Sequence, residues 1–399
     1  MRFLLPLLLF VAACGVDPSR VAGHTLAADD GDEIASPRPI TFGVVGNLRD
    51  AEKVRGRATG RAIHPGVADA IAEDLVRAVD SQDLAWVTLM GDDVPAASTG
   101  AWRRFDHRMH NLLAGSTLAD AGRKRVPTLP VAGDREFQKD RQLRSYEAAF
   151  PGVGVNIGFK RVASWYAFDV RLAKGRWRFL VLDTNKRALG PRWQEQLYWI
   201  PKAVEGKDYD GLVVFMHHPL QTLALGGQAN REGAPGELLE LVEDTVELMK
   251  LRAVFTADPY TSEAFLVGGR FGTLHVNAGG GGAGASTLAR WGVADERNSE
   301  ALKLETVFDL SLLKAFNQRA QEREVPENII DAARAERSWE GFPGQYDAKY
   351  FPLYGWWRIT LRAEGMEATF RLYDLEGGFQ DVYRVDYVDD EGWRTGSRS

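Results

Sequence analysis

The sequence predicts a layered α/β fold, and three observations predict it. Short apolar runs of strand length recur along the chain. Stretches of helical period separate them, and strands alternating with helices form sheets covered by helical layers. The 399 residues, 45% of them hydrophobic, suffice for one large domain with a full core.

The elements follow in order. Residues 40–45 (ITFGVV) read as a buried strand. Residues 68–79 read as a helix with Ala70, Ile71, Leu75, Val76 and Val79 on one face. A second strand spans 85–90 (AWVTLM) and ends at Gly91-Asp92. A helix carrying Trp102 and Phe105 leads to a third strand at 128–131, which ends in Gly133. Residues 177–183 (WRFLVLD) and 212–216 (LVVFM) give two more strands. Residues 287–349 differ: they are rich in Arg, Glu, Lys and Ala, with helical periods at 301–322 and 328–337, and read as a helical insertion. Pro326 suits the start of a helix. Residues 354–362 and 368–373 then read as antiparallel strands.

Composition excludes several function classes. Charged residues make up 26% of the chain, the net charge is -6, and Lys and Arg are scattered, so nucleic acid is not an expected partner. The one cysteine, Cys14, permits no internal disulfide and no thiolate zinc site. Any metal must be held by His, Asp, Glu, Asn or backbone oxygen.

The first residues, MRFLLPLLLFVAAC, carry Arg2 and then a short apolar run from Phe3 to Val11. The run is too short to span a membrane and fits an export signal. Val11-Ala12-Ala13-Cys14 resembles the lipobox of bacterial lipoproteins. The resemblance implies a signal peptide over 1–13, lipidation of Cys14 and a membrane anchor through it. Residues 14–38 are small and polar and read as a flexible tether, with the domain at 39–390 and a tail at 391–399. Gly15, rather than aspartate, follows the cysteine, which favours the outer membrane within the cell envelope.

In α/β folds, ligands gather beyond the C-terminal ends of strands. Those ends read Gly46-Asn47-Leu48-Arg49, Gly91-Asp92-Asp93, Gly133-Asp134-Arg135-Glu136, His217-His218-Pro219 and Thr256-Ala257-Asp258-Pro259, with a glycine run at 279–282. The series resembles the calcineurin-like metallophosphoesterases, especially the purple acid phosphatase branch. Their pattern is D-x-H, G-D-x-x, G-N-H-[ED], H (often H-H-P) and G-H-x-H. The resemblance implies a four-layer α/β/β/α sandwich and a two-metal phosphoric ester hydrolase.

The implied ligands are mostly replaced. Asn47 and Arg49 stand for the Asp and His of D-x-H, Asp134 for the metal-binding Asn, and Arg135 for the catalytic His. Ala257 and Pro259 stand for the two histidines of G-H-x-H; Asp92 and His217 are kept. One metal site is therefore expected to be gone, because Arg49 keeps its charge. Asp92, Asp134 and His217 outline a remnant for a single divalent transition metal. Arg49 and Arg135 read as salt-bridge partners of Asp92 and Asp134, or as a fork for an anion. His218 is the one catalytic candidate. Asp93 reads as a solvated loop carboxylate, and His64, His107, His110 and His275 as surface or packing residues. The glycine run calls for close backbone approach and lacks the Lys-Ser/Thr end of a P-loop. Trp356 and Trp357 read as core.

Three functions are open on this reading: a pseudoenzyme kept to bind a protein or a small anionic ligand, a single-metal hydrolase, and a purely structural envelope lipoprotein.

Overall fold

A computed structural model describes residues 33–49, 65–81, 83–108, 128–150, 164–219, 234–246, 250–258, 262–267, 271–282, 354–373 and 378–395. The expected signal peptide, Cys14, the helical insertion at 287–349 and Pro259 lie outside the described residues. So do His64 and His110.

Two seven-stranded sheets form the centre. The first sheet contains β1 (Glu33–Ala35), β5 (Tyr166–Arg171), β6 (Arg176–Val181), β7 (Gly211–Phe215), β8 (Leu251–Thr256), β9 (Ser262–Val267) and β10 (Thr273–Ala278). Their spatial order is β1-β5-β6-β7-β8-β10-β9. The second contains β2 (Ile40–Val45), β3 (Val87–Leu89), β4 (Thr128–Pro130) and β11 to β14 (Gly355–Arg362, Gly365–Tyr373, Phe379–Val388, Gly392–Thr395). Its order is β14-β13-β12-β11-β2-β3-β4. Strands β2, β3 and β4 are parallel, as are β6, β7, β8 and β10, so their C-terminal ends all point one way within each sheet.

Aromatic rings join the sheets. Phe42 of β2 stacks on Trp86 at 4.5 Å and meets Phe179 of β6 and Phe215 of β7 edge-on at 5.8 and 6.3 Å. Trp86 meets Phe168 of β5 edge-on at 6.2 Å. Such pairs favour stacked or edge-to-face geometry, so they set the sheet spacing as well as excluding water. Helices cover the outer faces, completing the four-layer sandwich. Helix α1 (Pro65–Asp80) lies over the second sheet: Asp74 accepts from the Trp356 indole at 3.0 Å and from the Arg371 guanidinium at 2.7 Å. Trp356 and Trp357 are both buried. Helices α2 (Thr99–Arg108), α3 (Asp134–Phe137) and α4 (Arg144–Ala149) follow, then α5 (Lys186–Leu189), α6 (Arg192–Val204) and α7 (Ala234–Thr245). No helix among the described residues is long and apolar enough to cross a membrane.

The expected strands at 40–45, 85–90, 128–131, 177–183, 212–216, 354–362 and 368–373 appear with ends shifted by a few residues. Two expected boundaries need correction. Residues Glu33–Ala35 belong to the domain, not the tether, because they pair in parallel with β5. Residues Gly392–Thr395 belong to it too, since β14 pairs with β13 and Trp393 donates to the Gly272 carbonyl at 3.0 Å. These short strands lack an apolar run; pairing places them, and each buries one large side chain, Ile34 or Trp393.

His275 on β10 is buried, and burial pushes its imidazole from 6.5 down to about 4. The folded chain therefore binds fewer protons here than the unfolded chain between those values, so stability falls as pH drops through that window. The loss is on the order of 3 kcal/mol. Replacing His275→Gln is expected to flatten the melting temperature between pH 6.5 and about 4; an unchanged acid slope would refute this.

Candidate functional site

The C-terminal strand ends of both sheets meet at one edge of the sandwich. The Gly46 amide donates to Ala278 at 2.8 Å and the Gly281 amide to Gly46 at 3.1 Å. The Asn47 side-chain amide donates to the Ala257 carbonyl at 2.7 Å, and the His217 ring meets the Met90 carbonyl through Nδ1 at 2.8 Å. Five segments far apart in sequence are thus laced together. Close approach requires glycine at Gly91, where φ is +88° and a Cβ would lie 2.6 Å from the Gly133 nitrogen. Asn47 and Asp92 also adopt left-handed backbone, at φ 62° and 57°. Asn and Asp tolerate that region best among residues with side chains.

Glu136 is the hub of the β3 and β4 ends. Its buried carboxylate accepts from the backbone amides of Asp92 at 2.9 Å, Gly133 at 2.8 Å and Asp93 at 3.1 Å. Burial, then the Asp92 charge, lifts Glu136 to about 7 against these donors. Beside it, Asp93 is buried rather than solvated, which corrects the expectation for this residue. Burial and then the Glu136 charge hold the Asp93 carboxyl well above its usual range.

Asp92 is the electrostatic centre. The Arg49 guanidinium donates to its Oδ2 at 2.8 Å, with both side chains buried. The Arg135 backbone amide donates to Oδ1 at 2.9 Å, while the Arg135 side chain, about a third exposed, stands 3.6 Å from Oδ2 and donates to Gln138. His217 Nε2 is 3.6 Å from Asp92 Oδ1 and 3.8 Å from Asp258 Oδ1. Burial alone would lower the His217 imidazole; the charges of Asp92, Asp258 and Asp134 more than offset this and raise it to about 9.

The expected trio Asp92, Asp134 and His217 is not assembled as one ligand set. Asp134 is half-exposed and accepts instead from His218 Nε2 at 3.1 Å. Burial opposes its ionisation, but the His218 bond and charge hold Asp134 down at about 2. His218 Nδ1 meets the Thr184 hydroxyl at 2.5 Å. Arg135 turns toward Asp92 and Gln138, not into a bridge with Asp134. Among the described residues, His217, His218 and Asp258 place a ligand atom each within 4.8 Å of one another. Asp258 and Glu136 sit inside strand-end motifs, yet no role attaches to them on sequence alone. Their function comes from which neighbour the fold aims them at.

A two-metal centre does not fit these residues. Arg49 places a fixed cation on Asp92, Asn47 turns its amide nitrogen toward carbonyls, and Ala257 offers no ligand. Next to the cluster lies a cavity of about 540 Å³ whose walls include Asp134, Arg141, Thr184, Lys186, Arg187 and His218. Lys186 pairs with Glu237 at 2.6 Å. Arg141 and Arg187 are exposed and have no ion-pair partner among the described residues.

No protein-family model matches the sequence, and no curated protein matches it. Solved structures do. GAP50, the anchor in the inner membrane complex of Plasmodium, is 11% identical with a TM-score of 0.49, covering 86% of this chain and 89% of that chain. The purple acid phosphatase PPD1 from yellow lupin seeds is 16% identical with a TM-score of 0.49. That match covers 87% of this chain and 53% of the lupin chain, so this chain spans about half its length. A dimetal phosphatase from Danio rerio is 11% identical with a TM-score of 0.47, covering 88% and 99%. At such identities nothing about activity follows from the likeness.

The Glu136 arrangement can be tested directly. Glu136→Ala orphans three buried amides, each costing about 1–3 kcal/mol. Urea unfolding is expected to show a loss of at least about 3 kcal/mol, with Glu136→Gln intermediate. Equal stability of the Ala variant and the parent would refute the hub role.

Proposed function

We propose that this chain is an envelope-anchored metallophosphoesterase-like protein that has lost two-metal ester hydrolysis and serves as a binding or scaffold module. The observation that carries this reading is the buried Arg49–Asp92 pair at 2.8 Å. Two-metal hydrolysis needs a carboxylate free to bridge two cations that activate water and clamp phosphoryl oxygens. Asp92 stands where the resemblance puts that carboxylate, and a guanidinium that cannot be deprotonated occupies it. A buried pair of this kind is costly to break, about 3–5 kcal/mol when one partner is removed. A cation arriving from solution would have to displace it. The cavity lined by Arg141, Lys186 and Arg187 supports a small anionic ligand as the bound species, since arginine forks match phosphate and carboxylate.

The purified chain, supplied in turn with Zn²⁺, Mn²⁺ and Fe²⁺, is expected to hydrolyse an aryl phosphate ester no faster than a protein-free blank. Metal-dependent turnover that vanishes in Asp92→Ala would overturn the pseudoenzyme reading in favour of a single-metal hydrolase.

Anchoring through Cys14 rests on the sequence Val11-Ala12-Ala13-Cys14 after a short apolar run. In a bacterial host, Cys14→Ser is expected to abolish radiolabelled palmitate incorporation and move the protein out of the detergent phase. Unchanged labelling would rule out lipidation at this residue.

A further inference from the structure

We propose that His217, His218 and Asp258 form a site for one divalent transition metal ion, zinc or a first-row neighbour. Of the three, only His217 occupies a position that the resemblance gives as a ligand. One nitrogen of each imidazole and a carboxylate oxygen of Asp258 lie within 4.8 Å of one another. Around zinc, nitrogen and oxygen ligands at about 2.0–2.2 Å stand roughly 3.3–3.6 Å apart. Closing the cluster therefore takes side-chain shifts of about an ångström. The side chains of His218 and Asp258, 12% and 24% exposed, have room to make them.

The rings are already oriented. Nδ1 of His217 faces the Met90 carbonyl at 2.8 Å, and Nδ1 of His218 faces the Thr184 hydroxyl at 2.5 Å. Holding Nδ1 on an oxygen orients each ring so that Nε2 faces the cluster, the usual support of metal-bound imidazoles; on His218 the metal would take the place of the Nε2 proton now shared with Asp134. His217 Nε2 is fully buried and has no hydrogen-bond partner among the described residues. The Asp92 and Asp258 carboxylates stand 3.6 and 3.8 Å from it, too far for a hydrogen bond, and a metal ion taking the place of the ring proton would satisfy this nitrogen. Asp134, 3.1 Å from His218 Nε2, supplies a further oxygen close by. Two imidazoles and a carboxylate suit zinc, iron(II) or manganese. Three protein ligands leave a coordination position open. His218 also lines the cavity, so an oxyanion entering there would lie beside the ion. Occupancy of this site is separate from ester turnover, so one can fail without the other.

The test uses the full chain, purified in detergent, stripped with chelator and dialysed against Zn²⁺, with metal content read by mass spectrometry. One equivalent of zinc is expected. His218→Ala and Asp258→Ala should each weaken zinc affinity at least about 100-fold, and Thr184→Val about 10–100-fold, with unchanged circular dichroism. Co²⁺ titration of the wild-type chain needs no variant: it should give visible absorption bands of mixed nitrogen and oxygen ligation and shift two imidazole proton resonances. Absence of stoichiometric metal in the wild-type chain overturns the proposal. So does full affinity in both variants, and so does affinity lost only in Asp134→Ala, which would instead support the trio of Asp92, Asp134 and His217.

Discussion

The Glu136 carboxylate is the interaction on which the strand-end architecture depends. Three backbone amides from two loops converge on one buried side chain. Their geometry fixes where Asp92 stands, and Asp92 in turn fixes Arg49, the Arg135 amide and the approach of His217. Buried amides are costly to leave unpaired, so the loops cannot rearrange singly. The acceptor is itself strained by burial and by the nearby Asp92 charge. That tension is tolerable because the alternative is three orphaned donors.

Charge balance explains the composition of this edge. Asp92, Asp93, Glu136, Asp183 and Asp258 are drawn into a small, largely dry volume. Buried charges need partners or must neutralise. The chain uses both solutions. Arg49 and His217 supply positive charge to Asp92, whereas burial pushes Asp93 and Asp183 toward the neutral form. Asp183 is further held by the Ser164 hydroxyl and the Asn185 amide. Much of the negative charge at this edge is balanced by the chain's own side chains.

The two sheets divide the work. The aromatic layer of Phe42, Trp86, Phe179 and Phe215 holds them face to face, while the parallel strands of each deliver their loops to the same edge. The β2, β3 and β4 ends bring Asn47, Arg49, Asp92 and Asp134. The β7 and β8 ends bring His217, His218 and Asp258. The grouped residues His217, His218 and Asp258 all lie on the first sheet's strand ends, while the second sheet supplies the Met90 carbonyl that orients His217 and the Asp134 carboxylate beside His218.

The sequence by itself determined the alternation of strands and helices, because apolar runs and their periods are local. It also showed which strand ends carry glycine with acidic or imidazole residues, since these are read from residue type alone. It decided that Arg49 brings a permanent charge, a matter of residue type alone. Strands without apolar runs, such as β1 and β14, were not legible, because a single buried side chain in each, Ile34 or Trp393, gives no periodic signal and the rest of the strand is placed by pairing. Partner choice was not legible either. Asp93 looked solvated and is buried. Asp134 looked aimed at Asp92 and His217, yet it meets His218, and Asp258 joins the histidines. Those choices are made by side chains from segments dozens to hundreds of residues apart, over distances of a few ångströms. Such distances are set by how the two sheets pack, which no local pattern encodes.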